Sequence, residues 1–117
     1  MFDHVGLKVK DLDSSVRFYT RTMEALGFAL CSRDDSGAGF GPRGEPALWL
    51  TPGKGTAAHV AFRAADRAAV DRFHVAGVEA GGKDNGRPGL RESYGPRYYA
   101  AFLLDPDGNN VEAVCLK

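Results

Sequence analysis

Apolar and polar positions alternate over residues 2–9. Val5, Leu7 and Val9 fall on one side, and His4, Gly6 and Lys8 on the other. A period of two predicts a strand with one buried face. The period then changes: Leu12, Val16, Tyr19, Met23 and Leu26 recur at spacings of three and four. That stripe predicts a helix over 13–26, capped by Asp11 or Asp13 and ended by Gly27. Short runs at 28–33, 37–41 and 46–51 are strand candidates separated by Gly, Pro and Asp turns. The order is βαβββ, and Thr51-Pro-Gly-Lys-Gly55 forms a linker. The next strand is predicted at 57–63, with Val60 and Phe62 on one face and His59, Ala61 and Arg63 on the other. A helix over 66–80 follows, with Val70, Phe73, His74, Gly77 and Val78 along one side. Residues 81–97, rich in Gly, Pro and charge, are expected to form a long loop, which favours a binding role or partial disorder. Tyr98–Leu104 and Asn110–Leu116 are strand candidates, joined by the turn Asp105-Pro-Asp-Gly-Asn109 in which Gly108 supplies positive φ.

The same order occurs twice because the chain repeats itself. A shift of 55 residues aligns 1–27 with 56–82 and matches eight pairs, among them His4/His59, Asp11/Asp66, Phe18/Phe73, Glu24/Glu79 and Gly27/Gly82. Chance pairing at ordinary residue usage gives roughly one or two. The fold class expected is therefore α+β, with two βαβββ modules, 1–52 and 56–117, in one domain. A helix covers only one face of each small sheet. Val5, Leu7, Val9, Val60 and Phe62 suit that face. Both repeat histidines lie on the other, which is left for a cavity, a second sheet or solvent.

Composition narrows the partners. The chain has 117 residues, with 15 basic and 15 acidic side chains. No net positive field exists to hold nucleic acid or an anionic membrane. No apolar run is long enough for a transmembrane helix or a signal peptide. Cys31 and Cys115 make no disulfide framework, so a reducing cytoplasm is expected. Cys115 suits a small core position.

The chemistry-bearing residues are His4, His59 and Glu112, each within a predicted strand. Glu112 lies in Asn-Val-Glu-Ala-Val, and a carboxylate buried among such neighbours is costly unless paired or metal-bound. Two imidazoles and a carboxylate suit Fe, Mn, Ni, Co or Zn and leave positions open for substrate. The plainer alternatives are structural strand histidines, and a cross-strand pair of Glu112 with Lys8 or Arg63. His74 is expected at the helix surface without a role.

Several segments carry a family resemblance: His4-Val-Gly-Leu-Lys-Val, Asp11-Leu-Asp-Ser-Ser-Val-Arg-Phe-Tyr19, Leu26-Gly-Phe28, His59-Val-Ala-Phe and Phe102-Leu-Leu-Asp-Pro-Asp-Gly-Asn-Asn-Val-Glu112. Together they resemble the vicinal oxygen chelate superfamily of glyoxalase I, fosfomycin-resistance transferases, bleomycin-resistance proteins and extradiol dioxygenases. The resemblance implies a pair of βαβββ modules curved around a cavity, and a homodimer whose cavities often combine modules of two chains. It also implies a divalent metal on His4, His59 and Glu112, and a small-molecule substrate. Trp49 falls where glyoxalase I carries a fourth ligand, usually Glu. Tryptophan cannot ligate a metal or take a proton, which leaves Glu112 as the catalytic carboxylate and argues against lactoylglutathione lyase activity. The fosfomycin enzymes continue past the last ligand with basic residues, whereas five residues follow Glu112 here.

Two functions are therefore expected to compete. One is a metal-dependent lyase, transferase or dioxygenase acting on a small oxygen-bearing compound, with Arg91, Tyr94, Arg97 and Tyr98 as substrate contacts. The other is a metal-free binding protein of the bleomycin-resistance type, with Trp49 and Phe40 as cavity walls.

Overall fold

The computed structural model describes residues 1–55 and 57–117. The expected start of module two at residue 56 lies just outside them. The order is β1 (Val5–Val9), α1 (Leu12–Ala25), β2 (Ala29–Asp34), β3 (Gly37–Gly41), β4 (Leu48–Pro52), β5 (His59–Arg63), α2 (Arg67–Glu79), β6 (Lys83–Leu90), β7 (Tyr99–Leu104) and β8 (Asn110–Cys115). The strands form two four-stranded mixed sheets, ordered β1-β4-β3-β2 and β5-β8-β7-β6. Each is one βαβββ copy, as the repeat predicts.

Local chemistry sets the boundaries. The Asp11 and Asp66 side chains accept from the backbone N–H of Ser14 and Ala69, so the two repeat aspartates are the two helix caps. Gly27, with φ +89°, follows the C-cap of α1. In the second copy Gly81, with φ +99°, has that place, not the sequence-aligned Gly82, because α2 is one residue shorter. Gly82 instead lets Phe18 approach, and at Gly77 a Cβ would run into Leu103 and Thr22. Those two glycines allow α1 and α2 to pack closely against each other.

One expectation needs correction. Residues 83–90 are not loop but the edge strand β6, which pairs with β7 through register breaks at Asp84/Gly86 and Gly86/Gly89. Pro88 is tolerated because an edge strand has one unpaired side. His74 is likewise not a bare surface residue. It is largely buried, and its Nε2 lies 2.9 Å from Asp84 Oδ1, which ties α2 to β6.

The core lies between helices and sheets. It includes Leu7, Val9, Val16, Phe18, Tyr19, Phe40, Leu50, Phe73, Leu103, Val111, Ala113 and Cys115. The Asp105–Asn109 turn is fastened to it. Tyr19 donates to Asp105 Oδ2 at 2.6 Å, while the Asp105 carboxylate also accepts from Asp107 N–H, Asn109 N–H and Asn109 Nδ2. Burial, then the Asp105 charge, pushes the Tyr19 phenol well above its ordinary range, so it remains a donor. Tyr19→Phe removes one of four donors from a buried carboxylate, which should cost about 1–3 kcal/mol. Thermal unfolding should show a Tm lower by roughly 3–10 °C.

A candidate metal centre on the helix-free face

Alternation along each strand sorts the candidates onto faces. Val111, Ala113 and Cys115 of β8 point into the core, so Glu112 points the other way. In β5, Val60 and Phe62 pack against the core, and His59 faces away from the helices beside Glu112. Phe102 of β7 is the direct cross-strand partner of Glu112. These three side chains, with Tyr94, Tyr98 and Asn110, line a hollow of about 430 Å³.

Glu112 is 3% exposed. Its Oε2 accepts from the Tyr98 hydroxyl, and its Oε1 lies 3.2 Å from His59 Nε2. Neither Lys8 nor Arg63 reaches it, so the cross-strand ion pair considered from sequence is not formed. His59 Nδ1 lies 3.0 Å from the Asn110 carbonyl. A carbonyl only accepts, so Nδ1 carries a proton there, and Nε2 is the nitrogen that faces Glu112. At 3.2 Å, Nε2 and Oε1 can be joined by a proton, as a His–Glu ion pair, or by a metal ion. The separation also suits adjacent ligands on one divalent ion, whose bonds to imidazole and carboxylate run about 2.0–2.2 Å. An imidazole whose far nitrogen donates to a backbone carbonyl is the usual arrangement of a metal ligand.

His4 does not join this pair. It is exposed beside β1, with Nδ1 2.8 Å from Asp3 Oδ1. Among the described residues no group of three His, Cys, Asp or Glu side chains is placed to hold a metal. Trp49, however, has an informative position. In β4 it pairs with Gly6, as Glu112 in β8 pairs with Ala61. Gly6 and Ala61 are equivalent under the 55-residue repeat, so Trp49 stands in module one where Glu112 stands in module two. A Cβ on Gly39 would lie 2.7 Å from the Trp49 ring, so the glycine makes room for the indole on that face. Phe40 points the opposite way. It is 1% exposed among the helices and borders a separate apolar hollow of about 210 Å³ with Val5, Met23, Val60 and Phe62.

Tyr98 was expected to touch substrate, and the structure places it on Glu112. Burial and then the Glu112 hydrogen bond push its phenol up to about 12. The folded value lies above the unfolded value of about 10. The bond's contribution to stability is therefore complete below pH ~10 and is lost as pH rises through about 12. Tyr94 packs edge-on against Tyr98 at 5.2 Å, and Arg97 borders a shallow depression with both tyrosines and Leu116. Arg91 lies over the Phe102 ring at 5.5 Å. If the pair binds metal, Tyr98→Phe frees one carboxylate oxygen and should weaken affinity about 10–100-fold, which a chelator-competition titration would measure.

The two βαβββ modules and their helix-free faces are the features by which the chain can be compared with known proteins. The chain belongs to the glyoxalase/bleomycin resistance protein/dioxygenase superfamily, whose profile matches residues 1–113. It is similar to a glyoxalase/bleomycin resistance protein from Albidiferax ferrireducens, with 28% identity over 98% of both chains and a TM-score of 0.84. A putative glyoxalase from Bacillus halodurans shares 26% identity over 98% of this chain and 95% of its own, with a TM-score of 0.74. A mutant glyoxalase I from Zea mays shares 29% identity over 96% of this chain and only 45% of its own, with a TM-score of 0.73. No curated protein matches. No helix among the described residues is long and apolar enough to cross a membrane.

Proposed function

We propose that the protein is a metal-dependent enzyme acting on a small oxygen-bearing compound, with His59 and Glu112 as ligands from one chain and His4 supplied by a second copy. The observation that carries this reading is His59 Nε2 lying 3.2 Å from Glu112 Oε1 while Nδ1 is held by the Asn110 carbonyl. When bound, a divalent ion would polarise substrate oxygens and stabilise developing negative charge. The chain's own groups do the rest. The Asn110 carbonyl fixes the His59 ring, and Tyr98 fixes Glu112 Oε2. Phe102 stacks beside His59 at 6.4 Å and walls the hollow. Glu112 is the carboxylate at hand to hold or move a substrate proton.

The same geometry supports a homodimer. The edge strands of both helix-free faces are open, with His4, Gly6 and Lys8 exposed on one and His59 and Ala61 on the other. Two-fold pairing of module one with a partner's module two would cover both faces and complete two equivalent sites. With Trp49 in the fourth position, such a site has three ligands. That favours transferase or dioxygenase chemistry over the four-ligand lyase.

Trp49 also supports a second reading, a metal-free protein that sequesters an aromatic or cationic compound against the indole. Metal analysis separates the two. After purification without chelator and loading with Mn, Fe, Ni, Co or Zn, the enzyme reading expects about one tightly held ion per chain. A folded protein that retains none, yet quenches Trp49 fluorescence with an aromatic ligand, would support sequestration.

A further inference from the structure

The Arg91 guanidinium is held in a fixed position on the second sheet. The residue follows β6, and its backbone N–H donates to the Tyr98 carbonyl at 2.8 Å, closing the 91–98 loop. Its side chain folds back along β6, where Nη2 donates to the Arg87 carbonyl at 2.7 Å. The guanidinium then lies over Phe102. Two glycines at the β6 register breaks leave the space. A Cβ on Gly86 would lie 3.2 Å from Nη2 and 2.9 Å from Phe102 Cδ1, and a Cβ on Gly89 would lie 3.2 Å from Nη1. The half-buried guanidinium has no carboxylate within ion-pair distance among the described residues. It has five N–H donors, and among the described residues the acceptor it meets is a neutral carbonyl. Fixed in this way, the fork is pre-organised for a planar or tetrahedral anion.

Its place in the sheet says where that anion sits. In the order β5-β8-β7-β6, Phe102 of β7 stands between His59 of β5 and the Arg91 side chain lying along β6. Both groups contact the same ring, His59 stacked at 6.4 Å and Arg91 at 5.5 Å. We propose that Arg91 binds an anionic group of the substrate. The substrate would then be an organic carboxylate or phosphonate whose apolar middle, about the size of one aromatic ring, lies across Phe102. This rests on the reading of His59 and Glu112 as the reacting end of the same site.

The test uses the full chain in the presence of chelator, with phenylphosphonate, benzoate and neutral benzyl alcohol titrated by calorimetry into wild type and Arg91→Gln. At least one anionic probe should bind wild type, and bind Arg91→Gln at least about tenfold more weakly. Benzyl alcohol should not distinguish the two proteins. The tighter of the two anions identifies the natural group. Equal binding of both anions to a folded Arg91→Gln protein overturns the proposal, as does no binding of either to wild type at millimolar concentration. Metal uptake by Arg91→Gln is measured in parallel and should equal wild type. Arg91-dependent anion binding without metal uptake would sink the metal reading alone. Normal metal uptake with Arg91-independent binding would sink the anion site alone.

Discussion

Glu112→Gln should abolish tight metal binding and leave a folded protein. The carboxamide keeps the shape of the side chain, and its oxygen can still accept from the Tyr98 hydroxyl. Only the negative charge is removed, from a position that is 3% exposed. A buried carboxylate carries a desolvation cost that its partners must offset. Without metal, the variant should therefore melt close to wild type or above it. With metal the order reverses. An ion present at 100 times its dissociation constant stabilises wild type by about 2.7 kcal/mol, and the variant should gain none of this. Loss of an anionic ligand should weaken affinity beyond the roughly 100-fold upper range for supporting residues. Elemental analysis after dialysis, with Tm measured at several metal concentrations, checks both halves. A variant that holds one ion per chain at unchanged affinity would remove Glu112 from the ligand set.

Much of this arrangement is legible in the sequence, for physical reasons that vary by element. The first strand and both helices announce themselves because each buries one face, which forces periods of two and of 3.6 on their apolar residues. Asp11 and Asp66 are legible because a helix start leaves N–H groups that a short carboxylate satisfies. His59 and Glu112 stand out through the repeat and through a charge set among valines. β6 is hidden, because an exposed edge strand needs no apolar alternation. Lys-Asp-Asn-Gly-Arg-Pro-Gly-Leu is held by its neighbour β7 and not by its own preference. The direction of Phe40 is hidden for a related reason. Its strand neighbours Gly39 and Gly41 have no side chains to mark the opposite face. Only the register of Gly39 against Trp49 shows which way each ring points. Tyr98 and Arg91 depend on the closure of the 91–98 loop, a tertiary event that local spacing does not encode.

The separation of His4 from His59 and Glu112 leads to the sharper expectation, a complementation between two inactive proteins. If the site takes His4 from one copy and the other two ligands from its partner, His4→Ala and Glu112→Gln each destroy both sites of a homodimer. A mixed dimer behaves differently. One of its sites combines the intact His4 of the Glu112→Gln chain with the intact His59 and Glu112 of the His4→Ala chain, while both defects fall in the other site. Random exchange of equal amounts makes half of the dimers mixed, so about a quarter of the wild-type metal capacity should return, given two-fold symmetric pairing. A site built within one chain would recover nothing, because every chain would carry a defect of its own. The measurement is tight metal per dimer before and after unfolding and co-refolding of the two variants, with each refolded alone as the control. Recovery in the mixture and not in the controls requires two copies per site. A dimer that forms normally and recovers no metal would show that His4 does not work in trans.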